Sequence, residues 1–518
     1  MRRRGSLPAA ALAFLLIAGG CSEDRPRPSP PASLSPAPDF RPGADGAGDP
    51  YFPKYGNGGY DVAGYDLDLR YDPKTGKLSG RATITATATQ DLSSFDFDLA
   101  HLKASKITVE GVAATSRVSK NELTVTPAAG IPNGRKFTVV VDYAGTPDQL
   151  ENKALGNGGW IRTSNGGIAL GQPESASTWF PVNDHPSDKA TFTLAMTVPD
   201  GLEAISNGVP GPRRTKDGWT TWRWAESSPM ASYLATVVIG QYRITTSTHD
   251  GKPMITAVPE SMPATSGAAK SLARTGEITD YLATMFGPYP FDANGGVVVN
   301  DDRIGYALEN QSRPVYGGTF FTDDKPNEGV VAHEIAHQWF GDSVSISRWQ
   351  DIWLNEGFAT YAEWLWSEHS GEQTAQQQFD KTYAAFDWNE TPGDPGPSRI
   401  FGDAVYQRGG MTVHALRKAI GDDAFFRLLK TWTGEHRDGN ADTAQFIALA
   451  EQVSGKDLDG FFAAWLNGTT RPPINRSGPR DTSGEGASDL ATPTGLAGAG
   501  KSPASSPVTG RSPRSEAG

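Results

Sequence analysis

The stretch HEIAHQWFGD at residues 333–342, followed by DIWLNEGFATYAEW at 351–364, decides how the rest of the chain is read. Pro326 and Asn327 are start signals for a helix and Gly341 is a stop, which predicts a helix from about residue 327 to 340. Residues four apart share one face of a helix, so the imidazoles of His333 and His337 can meet a single ion. Glu334 lies one step round that helix, close enough to reach a water on the ion without binding the ion itself. A second helix is expected over roughly 354–369, with Glu356 near its start.

A catalytic zinc needs three protein ligands and one open position. It acidifies a water there, and a nearby carboxylate takes the proton as the water attacks a carbonyl. His333 and His337 supply two ligands, Glu356 is the candidate third, and Glu334 is the candidate base. The pentapeptide alone would equally suit two histidines on an exposed helix face, and a lone helical glutamate is ordinarily a solvated charge. Trp353, Leu354 and Phe358 around Glu356 weigh against that second reading. Glu363 falls on nearly the same face as Glu356. It is either a partner for a ligand histidine or a surface charge. Two histidines and a glutamate suit zinc best, one ion per chain, though cobalt or manganese would fit in vitro.

Both ends of the chain look different from its middle. Arg2, Arg3 and Arg4 precede an apolar run, Ala9 to Ala18, too short to span a bilayer. Ala18-Gly19-Gly20 then leads to Cys21, the single cysteine. This resembles a bacterial lipoprotein signal over residues 1–21, with Cys21 lipidated, and implies an extracytoplasmic, membrane-tethered or secreted protein. One cysteine also excludes an internal disulfide framework. Residues 22–50 are Pro-rich and read as a disordered linker; 476–518 read as a disordered low-complexity tail. Lys and Arg number 47 against 59 Asp and Glu, a net charge of −12. That balance argues against nucleic acid as a partner, which needs basic patches. Contact with the membrane is expected only through the lipid on Cys21. Oligomeric state is not legible.

Between the ends the grammar changes once. Over 51–240, runs such as Tyr65-Asp66-Leu67-Asp68-Leu69-Arg70-Tyr71 alternate apolar with polar, and Gly, Pro, Asn and Asp break them at turn spacing. The expectation is an N-terminal antiparallel β-sandwich or saddle domain. Over 241–475, a β-like stretch at Gly296-Val297-Val298-Val299 gives way to helical spacing at 410–420, 424–432, 443–453 and 458–466. The fold class is therefore α+β and multidomain, with a mainly α-helical second domain.

HEIAH, the eighteen residues 338–355 and then Glu356 resemble the zinc signature of the aminopeptidase N family of gluzincins. The resemblance covers roughly 55–473 and implies a thermolysin-like catalytic domain acting on peptides with a free N-terminus. Gly305-Tyr306-Ala307-Leu308-Glu309-Asn310 resembles the family's substrate-binding strand. It implies that Ala307 lines the substrate and that Glu309 grips the α-amino group. Tyr306 and Leu308 depart from the usual residues there. Tyr406, in Val405-Tyr406-Gln407-Arg408-Gly409-Gly410, resembles the tyrosine that stabilises the oxyanion. Gln172, in Leu170-Gly171-Gln172-Pro173-Glu174, matches the β-domain residue that reaches the substrate amine, better than Glu174 does. Larger members add a helical C-terminal domain, so a more open cleft is expected here. Two other functions fit the same residues: an endopeptidase with a weak N-terminus requirement, and a lipid-anchored scaffold with a vestigial zinc site.

Overall fold

The computed structural model describes residues 39–152, 156–321 and 324–474. The expected signal segment, Cys21 and the low-complexity tail lie outside the described residues. The β-rich half holds a nine-stranded, a five-stranded and a four-stranded sheet among the described residues. Tyr60–Asp72 shows why these strands form: Tyr65, Leu67, Leu69 and Tyr71 are buried while Asp66, Asp68 and Arg70 face water. Aromatic rings join the layers. Tyr60 meets Phe95 and Phe97 at 5.8 and 5.7 Å, and Tyr71 meets Trp160 at 4.7 Å.

Two expectations need correction. The large sheet is not purely antiparallel, because Lys189–Pro199 runs parallel to Tyr60–Asp72, with Leu67 beside Leu194. A parallel pair requires a long crossover, and the chain between these strands builds the sheet's other half. The Pro-rich linker also ends sooner than residue 50. Arg41–Pro42 pairs with Leu92–Asp98, and the buried Asp49 carboxylate accepts from the amides of Tyr51 (2.8 Å), Phe52 (2.9 Å) and Trp349 (2.8 Å) and from His185 Nε2 (3.2 Å). Few apolar side chains are needed for this anchoring, so composition does not reveal it.

The second half opens with a five-stranded mixed sheet, in the order Tyr242–His249, Lys252–Pro259, Asn294–Val299, Val315–Gly317, Ala307–Leu308. Ala307–Leu308 is its edge. Helices Gly267–Leu272 and Thr275–Phe286 precede the HEIAH helix, and Ala375–Ala385 follows Trp353–His369. No helix among the described residues is long and apolar enough to cross a membrane. The halves are tied next to the zinc motif, where the Lys189 ammonium donates to the carbonyls of Asp342 and Ser343, each at 2.8 Å.

Asp98 and Glu122 stand directly opposite each other on antiparallel strands. Burial first, then the Asp96 charge, push Glu122 from 4.5 up to about 7; burial and the Glu122 charge raise Asp98 well above its ordinary range. The unfolded chain ionises near 4.5 while the folded chain holds its proton to about 7. Stability is therefore full below pH 4.5 and is lost as pH rises through 7. Burial raises Glu174 and Glu226 to about 7 as well, with the same sign. The expected result is a melting temperature that falls from pH 5 to pH 8. Glu122→Gln should raise it at pH 8 by an amount equivalent to about 1 kcal/mol, after allowance for solvent. A pH-independent melting curve in the parent would overturn this.

Candidate active site

Asn327 caps the HEIAH helix, Glu328–Ala336, by accepting from the Val330 amide. The helix stops before the expected residue 340. Asp342 N reaches back to His337 O and Ser343 N to Gln338 O, a wider winding that continues through Gly341 at φ 136°. His337 keeps its bond to His333 O, so the two imidazoles still share a face. The next helix, Trp353–His369, carries Glu356 in its first turn. It packs on the HEIAH segment through Phe358, stacked on Phe340 at 4.4 Å.

Glu356 Oε2 lies 3.3 Å from His333 Nε2 and 3.4 Å from His337 Nε2. The other ring nitrogens are engaged elsewhere. His337 Nδ1 donates to the Phe340 carbonyl at 3.0 Å, and His333 Nδ1 to Glu363 at 2.6 Å. A carbonyl can only accept, so Nδ1 of His337 carries the hydrogen and Nε2 is the ring's remaining lone pair. With both Nε2 atoms deprotonated, two lone pairs and a carboxylate oxygen converge on one point, an arrangement suited to a shared cation. Zinc fits this donor set and these outer partners. The electrostatics agree. Burial opposes charge on all three ligands, yet the Glu356 and Glu309 carboxylates hold His337 up at about 9. Bonds to Glu356 and Glu363 raise His333 well above its usual value, and the imidazoles pull Glu356 down to about 2.

Glu334 is 4% exposed on the same helix. Burial pushes it up to about 8 against the pull of both imidazoles, and a dication at the site adds to that pull. Ligand atoms of Glu309, Glu334 and His337 lie within 4.8 Å of one another. Glu309 follows the edge strand holding Ala307, which pairs with Tyr316. Gln338 Nε2 donates to its backbone carbonyl at 3.0 Å. The Glu309 Oε1 atom accepts from Gln172 Nε2 at 3.1 Å and from the Tyr233 hydroxyl at 2.8 Å. Of Gln172 and Glu174, it is thus Gln172 that reaches Glu309. The Tyr406 ring lies nearly parallel to His333 at 6.0 Å. Burial, then the charges of Glu356, Glu309 and Glu334, keep its hydroxyl protonated far beyond its usual range.

Tyr406 sits in a π-helical turn, Ala404–Arg408, that leads into the helix Gly409–Ile420. Arg408 anchors the turn by donating to the carbonyls of Trp465 (2.8 Å), Glu390 (2.7 Å) and Ala464 (3.0 Å). That helix touches the Glu356 helix backbone to backbone, and a Cβ on Gly357 would fall 2.9 Å from the Gly409 carbonyl carbon. Alanine in a helix interior ordinarily stabilises by about 1 kcal/mol over glycine. Here Gly357→Ala should lower the melting temperature and reduce kcat, because relief of the clash moves Glu356 and Tyr406 apart. Unchanged stability and turnover would show that the contact gives without cost.

The sequence-expected residues His333, His337, Glu356, Glu334, Glu309, Gln172 and Tyr406 thus surround one point, with Ala307 on the strand beside it. Tyr233, Gln338 and the Phe340 carbonyl were not anticipated. Gln338 sits inside the motif, while nothing near Tyr233 marks it.

Residues 62–234 match the peptidase M1 N-terminal domain, and residues 271–465 match the peptidase family M1 domain. Glutamyl aminopeptidase of Sus scrofa is 27% identical over 330 residues, 59% of this chain and 35% of that protein. Aminopeptidase M1-D of Oryza sativa subsp. japonica is 26% identical over 457 residues, 79% of this chain and 50% of that protein. The chain therefore spans between a third and a half of the length of these curated relatives. The crystal structure of the M1 zinc metallopeptidase from Deinococcus radiodurans superposes with a TM-score of 0.76 at 29% identity, covering 83% of this chain and 98% of that one.

Proposed function

The chain belongs to peptidase family M1, and from that premise we propose that it is a zinc aminopeptidase, removing residues from peptides that carry a free N-terminus. One observation carries the reading. Glu309 is a buried carboxylate held by two neutral donors, beside His337 and Glu334. A carboxylate held by uncharged donors keeps its attraction for a ligand that brings a positive charge, here the α-ammonium of a peptide.

His333, His337 and Glu356 would hold a zinc ion, which would supply Lewis acidity for the hydrolysis. Glu334 takes the water's proton and returns it to the departing amine. Tyr406 remains protonated and donates a hydrogen bond to the developing oxyanion. Glu309 and Gln172 hold the substrate ammonium, and the edge strand at Ala307 offers backbone partners to an extended peptide. Glu363 and the Phe340 carbonyl keep the ligand imidazoles oriented.

The test compares an aminoacyl chromogenic substrate with its N-acetylated form on the zinc-loaded protein. The free amine should be cleaved and the acetylated form should not; equal rates would overturn the aminopeptidase reading in favour of an endopeptidase. Zinc binding with cleavage of neither would favour a scaffold. We further propose that Cys21 carries a lipid that holds the enzyme on the outer side of a membrane, a reading supported by the sequence of residues 1–21. Cys21→Ala should move the protein from the membrane fraction to the soluble fraction.

A further inference from the structure

We infer that Tyr233, a residue of the β-rich half, is a positioning residue for recognition of the substrate ammonium: its hydroxyl pins one oxygen of Glu309 and leaves the other facing the ligand. The inference rests on the aminopeptidase reading and adds to it the residue that sets the geometry of amine selection.

Tyr233 is 1% exposed, and its hydroxyl donates to Glu309 Oε1 at 2.8 Å. Gln172 donates to that same oxygen at 3.1 Å, from the loop that follows the strand Gly167–Leu170. Both donors are uncharged, so they fix the carboxylate without cancelling its attraction for a cation. A phenol has one hydrogen to give, and here it is given to Glu309.

The phenol is itself held from several sides. It belongs to a short 3-10 turn, Ser232–Leu234. The Ser232 hydroxyl donates to Asp184 at 2.7 Å, within the β-rich half. The Leu234 carbonyl accepts from Asn310 Nδ2 at 2.9 Å, and Asn310 is the residue after Glu309. The same carbonyl accepts from Asn207 Nδ2 at 3.0 Å. The ring packs against Trp349 at 5.5 Å, ahead of the helix that carries Glu356. Tyr233 is thereby fixed relative to the Glu309 strand and to the zinc-ligand helix together. Holding a recognition group in its bound geometry before the ligand arrives spares the entropy of ordering it on binding.

A residue that merely packed would, when altered, disturb every ligand of the site alike. A positioning residue for the amine would disturb only ligands that carry one. Tyr233→Phe is therefore made in the full zinc-loaded chain and compared with the parent in two ways. On an aminoacyl chromogenic substrate, KM should rise about tenfold, the size expected for a hydrogen bond to a charged group, with kcat within about threefold. Leucine hydroxamate should bind about tenfold more weakly, while the same hydroxamate lacking the α-amine should bind as before. Equal weakening of both hydroxamates, or of neither, would overturn the inference. So would a fall in kcat at constant KM. A parent protein that does not distinguish the two hydroxamates would overturn the aminopeptidase reading and this inference with it. A parent that distinguishes them and a variant that does so equally well would overturn the inference alone. If the variant does not fold, 3-fluorotyrosine introduced at position 233 keeps the packing and changes the donor. A changed ratio between the two hydroxamates would then support the inference, and an unchanged ratio would overturn it.

Discussion

Glu334→Gln lowers kcat by a factor on the order of 10³ to 10⁴, at the upper end for loss of a general base, and leaves zinc bound one per chain. The side chain lies in the HEIAH helix between two ligand histidines, so glutamine keeps its volume and its place. The Gln338 amide contacts the backbone carbonyl of residue 334, not its carboxylate, so the support of the Glu309 strand survives. What disappears is basicity. Without the ion, burial works against ionisation and drives the group to about 8, while His333 and His337 pull it back toward ionisation, and a bound dication would pull it further the same way. A base near the working pH is the efficient one. Zinc content by plasma emission and turnover under saturating substrate check the two halves of the expectation; full turnover in the variant would remove Glu334 from the mechanism.

His337→Ala should leave less than about a tenth of the zinc bound, since the site loses one of its three protein ligands, and no measurable activity. It also leaves Glu309, Glu334 and Glu356 crowded in a buried space without a cation, which lowers the melting temperature. A related effect concerns pH. With zinc stripped by a chelator, protons take the cation's place: His337 rises from 6.5 to about 9, carried by the Glu356 and Glu309 charges against the cost of burial. Zinc must displace those protons to bind. Apparent zinc affinity should therefore climb as pH rises from 6.5 toward 9, about tenfold per pH unit for each proton released. Competition with a chelator at pH 6.5, 7.5 and 8.5 measures the slope, and a flat profile would contradict the proton count.

The zinc ligands and the base were legible because local spacing encodes them. Two residues four apart on a helix need no tertiary knowledge to be placed on one face, whereas Glu356 was picked out by the eighteen-residue gap of the signature it resembles, its apolar neighbours only weighing against a solvated charge. The alternation along Tyr60–Asp72 was legible for the same reason. Thr275–Phe286 could have been read, since Ile278, Leu282 and Phe286 recur every four residues and all are buried. Tyr233 could not. Its partner lies 76 positions further on, and neither residue's neighbourhood signals the other. The anchoring at 39–50 escaped because it rests on backbone bonds and one carboxylate, to which a compositional reading of a proline-rich run is blind. The parallel pair escaped because alternation tells which face is buried but not which way a neighbour runs.

The Asp49 carboxylate has a consequence for the order in which the molecule can be made. Two of its partners, the amides of Tyr51 and Phe52, are almost adjacent in the chain, and a third, His185, belongs to the same half. The fourth, the Trp349 amide, lies 300 residues further on. A ribosome working from the N-terminus delivers the turn around Asp49 early and its last partner late, so the nascent β-rich half waits with an unfilled acceptor until the zinc-binding segments emerge. Closure of that single bond requires the segment just before the Glu356 helix to be in place. The turn around Asp49 thus acts as a clasp that fastens only when a segment 300 positions further along has arrived.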